Sequence, residues 1–307
     1  MNVGHAVPPA LRVRPLHFEF RALDPVAFPR GKAANIFRGA FGDVFRRIAC
    51  NPDCHDSRTS PRSGECAYAR LFEGQPPGGN LALGGANPSG FVDRPRPFVL
   101  RAASLDGTSF GPGDRFNLGV NLFDLDIPAL DHFRRAFEQF GEEGLGPGRP
   151  RVELVDFLEL PIVEIDLAAR RMPVSRIKVV FLTPTELKFD GTILREPEFG
   201  ALVKRARDRV AGLIRLYQPC EYADCVDYRG IGERANRVRM TASHFEMHQI
   251  ERRSARTGQR HGLGGFTGEA EFEGDLAEFL PWLEALWWTG VGRLTVWGNG
   301  MAQVKAA

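Results

Sequence analysis

Two series of alternating and helical apolar runs follow one another along this chain in the same order, and that repetition restricts its fold more than any single motif. In the first series, LRVRPLHFEFRAL sets Leu16, Phe18 and Phe20 against His17, Glu19 and Arg21, the period-two pattern of a strand with one buried face. GKAANIFRGAFGDVFRRIAC spaces Ile36, Phe37, Ala40, Phe41, Val44, Phe45 and Ile48 along one side of a helix. RPFVLRAA and RFNLGVNLFD read as strands. DIPALDHFRRAFEQFG reads as a helix that opens on an acid and a proline and closes on Gly141, and RVELVDFLEL as a further strand.

The second series repeats the first. RIKVVFLT is a strand, EPEFGALVKRARDRVAGLIRLYQ a helix, NRVRMTASHFEMHQIERRS and GGFTGEAEFEGD two long strands, LAEFLPWLEALWW a helix, and GRLTVWGNGMAQV the last strand. Each series is β-α-β-β-α-β, the split βαβ unit of ferredoxin-like domains. The expected fold is α+β: two tandem ferredoxin-like (RRM-like) domains, over residues 1–165 and 172–307. The first carries an irregular insertion at about 50–95, rich in Cys, Gly, Pro and Ser.

Composition narrows the setting. A chain of 307 residues, 43% hydrophobic and 25% charged, is expected to be globular, and no run approaches the ~18 apolar residues of a membrane span. Five cysteines in this length do not form a secreted disulfide scaffold, so a cytoplasmic protein is expected. The net charge of +2 conceals an asymmetry. Residues 229–260 hold eight arginines against three acids, whereas residues 261–307 hold two basic residues against six acids. A basic block on a near-neutral chain fits a polyanion site; an exposed face laced with ion pairs is the alternative.

The chain closes on WWTGVGRLTVWGNGMAQV, in which Gly290/Gly292 and Gly298/Gly300 bracket an apolar stretch. Glycine lets a backbone approach a ligand closely, with N–H groups free to meet phosphate oxygens. The bland reading is a helix-to-strand turn followed by a bulge. No dinucleotide fingerprint or phosphate loop is present.

This G-x-G-x5-G-x-G pattern resembles the glycine-rich signature of the RAMP superfamily of CRISPR RNA-binding proteins. FRGAFGDVFRRIAC with CAYARLFEG, LTPTELK, and ERRSARTGQRHGLGGFTGEAEFEGDL resemble, in chain order, the pre-crRNA-processing endoribonuclease family within it. The resemblance implies two ferredoxin-like domains and repeat RNA as partner, in precursor and mature crRNA, with other CRISPR effector subunits as further partners. Neither DNA nor membrane is expected to be contacted directly. It also implies metal-independent cleavage, in which the 2′-OH attacks its own 3′-phosphate and leaves a 2′,3′-cyclic phosphate. No catalytic cofactor is then needed.

That chemistry requires a base, an acid and positive charge on the phosphorane. His261, between the arginine block and a glycine turn, is the first candidate for proton transfer, and Lys32 and His17 are the further candidates. His244 and His248, four apart on a strand, share one face. Many relatives carry a histidine in or beside the first helix; residues 31–49 have none, leaving Lys32 at the mouth of that helix, where the helix N-terminus adds positive potential. Expected RNA contacts are Arg38, Arg252, Arg253, Arg256, Arg260 and Arg293, with Gly290, Gly292, Gly298 and Gly300. Cys50, Cys54 and Cys66 are candidate ligands of a structural zinc. Two other functions stay open: a non-catalytic RAMP scaffold subunit, and a tandem ferredoxin-like metabolite-binding protein.

Overall fold

The computed structural model describes residues 10–50, 66–73, 94–125, 129–189, 191–218, 226–253 and 260–306. Residues 13–163 and 216–218 form one compact unit, and the rest of the described chain forms another. Elements of the first half are β1 (Ala10–Ala22), β2 (Val26–Ala27), α1 (Ala33–Ala49), α2 (Ala67–Phe72), β3 (Phe98–Arg101), β4 (Ser109–Phe110), β5 (Arg115–Leu122), α3 (Ala129–Glu138), α4 (Phe140–Glu143), β6 (Val152–Glu159) and β7 (Val163–Asp166). Those of the second half are β8 (Arg176–Thr185), β9 (Lys188–Phe189), β10 (Thr192–Ile193), α5 (Phe199–Tyr217), α6 (Tyr228–Ala235), β11 (Arg239–His248), β12 (Glu251–Arg253), β13 (Arg260–Gly262), β14 (Gly265–Glu273), α7 (Leu280–Glu284), α8 (Leu286–Thr289) and β15 (Ala302–Ala306).

The main sheets are antiparallel and share one topology. The first runs β3-β5-β1-β6, with β7 also paired to β1, and the second runs β11-β14-β8-β15. In both, the opening strand lies inside and is flanked by the third and the last of its series, as the split βαβ arrangement requires. The fold is therefore the expected tandem of ferredoxin-like domains.

Alternation decides which face of each sheet is buried. Phe18 and Phe20 of β1 are fully buried, as are Phe37 and Phe41 of α1 and Phe133 and Phe137 of α3. Phe41 stacks on Phe133 at 4.4 Å, and Phe137 meets Phe18 edge-on at 4.6 Å. Each buried ring contributes roughly 1.5–3 kcal/mol, and each such pair ~1 kcal/mol more. The second sheet buries Ile177, Val179 and Phe181 of β8 with Phe266, Ala270 and Phe272 of β14, and α5 supplies Phe199, Leu202, Val203 and Ala206.

Four segments depart from the sequence expectation. The insertion is not irregular throughout: α2 is helical, and Arg70 makes a two-bond ion pair with Asp124, both side chains buried. Removing one partner of such a pair costs ~3–5 kcal/mol, because the other is left buried and charged. Gly42 makes room for Phe72 of α2, since a Cβ there would fall 2.4 Å from the ring. The segment before β11 holds α6, capped by Asp227, whose carboxylate accepts the Gly230 N–H at 2.8 Å. β12 is a separate ribbon with β13 rather than a continuation of β11. The last strand begins only at Ala302, because residues 290–300 fold as a turn around a short 3-10 helix, Thr295–Trp297.

One titrating group belongs to the core of the first unit. His132 is half-buried, its ring 5.3 Å from that of Phe45, and its Nδ1 is buried with no hydrogen-bond partner among the described residues. Burial, helped by Arg135, holds its pKa below the ordinary 6.5. The folded state thus favours neutral His132, so its stabilising effect is complete above pH ~6.5 and is lost as pH falls toward the depressed folded value. Melting temperature should therefore drop less between pH 7.5 and 5.5 in His132→Phe than in the parent. Equal drops would remove His132 as a cause.

Candidate nucleic-acid interface

In the second unit the glycine signature and the LTPTELK stretch turn out to be one structure. Gly300 N–H donates to the Pro184 carbonyl at 3.0 Å, Arg293 N–H to Glu186 at 3.0 Å, and Val291 N–H to Gly300 at 2.9 Å. Thr183 Oγ1 donates to the Gly298 carbonyl at 2.7 Å and accepts the Met301 N–H at 2.9 Å. Position 300 tolerates nothing larger than glycine: φ is +75°, and a Cβ would lie 1.9 Å from the Val291 carbonyl oxygen. The glycines therefore serve first to let the turn lie against the end of β8. The N–H groups of Gly290, Gly298 and Gly300 donate to the Leu286, Thr295 and Pro184 carbonyls, so the expected free donors are engaged within the protein at these three positions.

The same turn reaches the basic ribbon. Asn299 Nδ2 donates to the Leu263 carbonyl at 3.0 Å, and Leu263 N–H closes the ribbon's base on Ile250 at 2.6 Å. Beyond that base the register pairs Arg252 with His261 and Arg253 with Arg260. Arg256 and Cys54 lie outside the described residues.

Of the other four arginines of the block, three are held in ion pairs. Arg229 binds Glu233 at 2.8 Å, Arg234 binds Glu278 at 2.7 Å, and Arg239 binds Glu273 at 3.2 Å. Arg293 pairs with Glu186. The outer face of the second sheet is likewise neutralised. Lys178 sits between Glu269 and Glu271 at 2.8 and 3.4 Å, and its hydrogen bond to Glu269 raises the lysine pKa and lowers that of the acid. His244 is exposed opposite Glu269, and His248 Nε2 lies 2.6 Å from Thr267 Oγ1.

In the first unit, Lys32 stands at the N-cap position of α1. The helix N-terminus beside it is not open. Asp106 Oδ1 accepts the Ala33 N–H at 3.0 Å, and the backbone amides of Lys32 and Gly31 also act to lower the pKa of this carboxylate. Burial raises the Asp106 pKa, against the opposing pull of those three donors. A protein carboxylate thus lies where the helix N-terminus adds its positive potential beside Lys32. Arg38 is also engaged: its guanidinium carbon lies 4.5 Å above the Phe72 ring. Cys50 caps the far end of α1, and Cys66 Sγ is 3.7 Å from the Ala49 carbonyl oxygen. Among the described residues no group of three or more His, Cys, Asp or Glu is placed to hold a metal ion, and none of their helices is long and apolar enough to cross a membrane.

His17 is exposed in the middle of β1, and the register sets it in a row that sequence reading missed. Arg101 pairs with Gly119, Gly119 with His17, and His17 with Leu158. A Cβ on Gly119 would fall 2.9 Å from Arg101 Cβ, so the glycine lets the arginine lie close over β5. Burial lowers the Arg101 pKa. The glycine inside RFNLGVNL was the available signal.

The comparisons agree with this architecture. A model of the CRISPR-associated endoribonuclease Cas6 family matches residues 179–302, and the N-terminal-domain model AF_1859_N matches residues 11–165. No curated protein matches. The structure of Thermus thermophilus Cas6 (TTHB231) is similar over 98% of this chain and 100% of its own, with 16% identity and a TM-score of 0.50. A product complex of Cas6 (TTHB231) is similar over 96% of this chain and 100% of its own, with 18% identity and a TM-score of 0.58. A partial Cas6-RT-Cas1–Cas2 complex is similar over 98% of this chain and 47% of its own, with 11% identity and a TM-score of 0.53. Likeness at these identities is likeness of fold; by the family model that matches residues 179–302, the chain carries a domain of the CRISPR-associated endoribonuclease Cas6 family.

Proposed function

We propose that this protein binds the repeat RNA of precursor crRNA and cuts it without metal, the 2′-OH attacking its own 3′-phosphate to leave a 2′,3′-cyclic phosphate and a 5′-OH. Family membership supports the reaction class, and solved relatives are described as product and substrate-mimic complexes of Cas6. The observation that carries the reading on this chain is the Asn299–Leu263 hydrogen bond. It ties the glycine turn to the base of a ribbon whose register pairs Arg252 with His261 and Arg253 with Arg260.

The roles follow from the chemistry. His261 transfers the proton, as base for the 2′-OH or acid for the leaving 5′-oxygen, since imidazole changes charge near neutrality. Arg252, Arg253, Arg256 and Arg260 hold the RNA backbone, with guanidinium donors to phosphate oxygens. Lys32 and His17, in the other unit, are the alternative candidates for that proton transfer. Gly290, Gly292, Gly298, Gly300, Arg293 and Arg38 shape the surface around the RNA.

The test is cleavage of labelled repeat RNA under single-turnover excess of protein in EDTA. One cut ending in a cyclic phosphate is expected. A 2′-deoxy substitution at the scissile nucleotide should abolish the cut and spare binding, because only the nucleophile is lost. Tight binding with no cut would favour the scaffold function, and a strict requirement for magnesium would reject the mechanism.

A further inference from the structure

Each unit contains a glycine-rich turn between its last helix and the strand after it. In the second unit the turn is Gly290–Gly300, between α8 and β15; in the first it is Gly144–Pro150, between α4 and β6. Among the described residues the non-glycine positions with positive φ are Arg149, at +48°, and Leu294, at +62°. One lies in each turn. A left-handed conformation is unfavourable for both side chains, and a glycine at either position would relieve it. The same strain therefore recurs at the same topological place in both repeats.

The first turn is anchored on one side and open on the other. Leu145 is buried, and its N–H donates to the Pro150 carbonyl at 2.8 Å. Gly146 lies against α1, where a Cβ would fall 2.6 Å from Ile36 Cγ2, one helical turn beyond Lys32. Pro147, Gly148 and Arg149 are exposed, and nothing lies within 4 Å of the Cβ position of Gly148. The neighbouring carboxylates Glu143 and Asp24 pair with Arg47 and Arg151, while Glu142 is exposed.

We propose that the Gly144–Pro150 turn is a second RNA-backbone contact, with Arg149 as the residue that binds a phosphodiester. The proposal rests on the RNA-processing function above. A guanidinium fork matches two phosphate oxygens, and a turn fixed against α1 presents it with little ordering cost on binding.

Arg149→Gly separates this role from a structural accident. Glycine accepts the left-handed backbone, so the variant should melt at a higher temperature whichever role is correct. Under the proposal it also binds fluorescein-labelled repeat RNA about 5- to 10-fold more weakly, and the slope of log K against log salt falls by about one phosphate contact. Arg149→Lys, which keeps the charge, restores the slope. Unchanged affinity and slope in Arg149→Gly, or failure of Arg149→Lys to restore the slope, would overturn the role of the turn while leaving the RNA function intact. A parent protein that binds neither repeat RNA nor oligo(U) would instead overturn the RNA function itself.

Discussion

Alanine at position 261 is expected to slow cleavage of repeat RNA by about 10²- to 10⁴-fold and to change RNA affinity by no more than a few-fold, the signature of a lost proton-transfer group. The rate is read under single-turnover conditions, where product release does not intrude. The motive is the register that makes Arg252 the cross-strand partner of His261. As general base the imidazole must be neutral to accept a proton from the 2′-OH. The rate should accordingly rise with pH through the imidazole titration in the parent and lose that limb in His261→Ala. A loss below about tenfold, with the pH limb intact, would move the proton-transfer role to Lys32 or His17.

Replacing Arg252, Arg253, Arg256 and Arg260 together by alanine should weaken repeat-RNA binding by roughly 10³-fold, taking ~1 kcal/mol for each bond to phosphate. The salt slope should fall by about three if all four contact a single strand. Arg229→Ala with Arg234→Ala is the control, since those side chains bind Glu233 and Glu278. An unchanged salt slope in the quadruple variant, measured by filter binding across a salt series, would make the ribbon a solvated face.

The contrast between these two groups of arginines shows where sequence reading ends. Counting charge between residues 229 and 260 treats all eight arginines alike. The partners that neutralise Arg234 and Arg239 are Glu278 and Glu273, more than thirty positions away. Only the docking of α6 and the pairing of β11 with β14 bring them together. Arg38 is a second instance: its place over Phe72 depends on a helix inside an insertion that shows no periodicity. Asp106 is a third instance, reaching the start of α1 from a loop seventy-three residues later.

What the sequence by itself determined was the order of elements and the buried face of each. Apolar periods of two and of 3.6 are local properties, and burial of Phe18 and Phe20 on β1 or Phe37 and Phe41 on α1 follows from them directly. It also marked the glycine turn and the basic ribbon as unusual. It missed α6, whose two glycines, Gly230 and Gly232, lower its intrinsic helix propensity, and it extended the last strand through residues that turn. Only the tertiary structure decided which donors and charges remain available to a ligand. Hydrogen bonds and ion pairs are settled between residues distant in sequence: Gly300 with Pro184, Asn299 with Leu263, Ala33 with Asp106. No periodicity encodes such pairings, because they exist only after the strands have chosen their register.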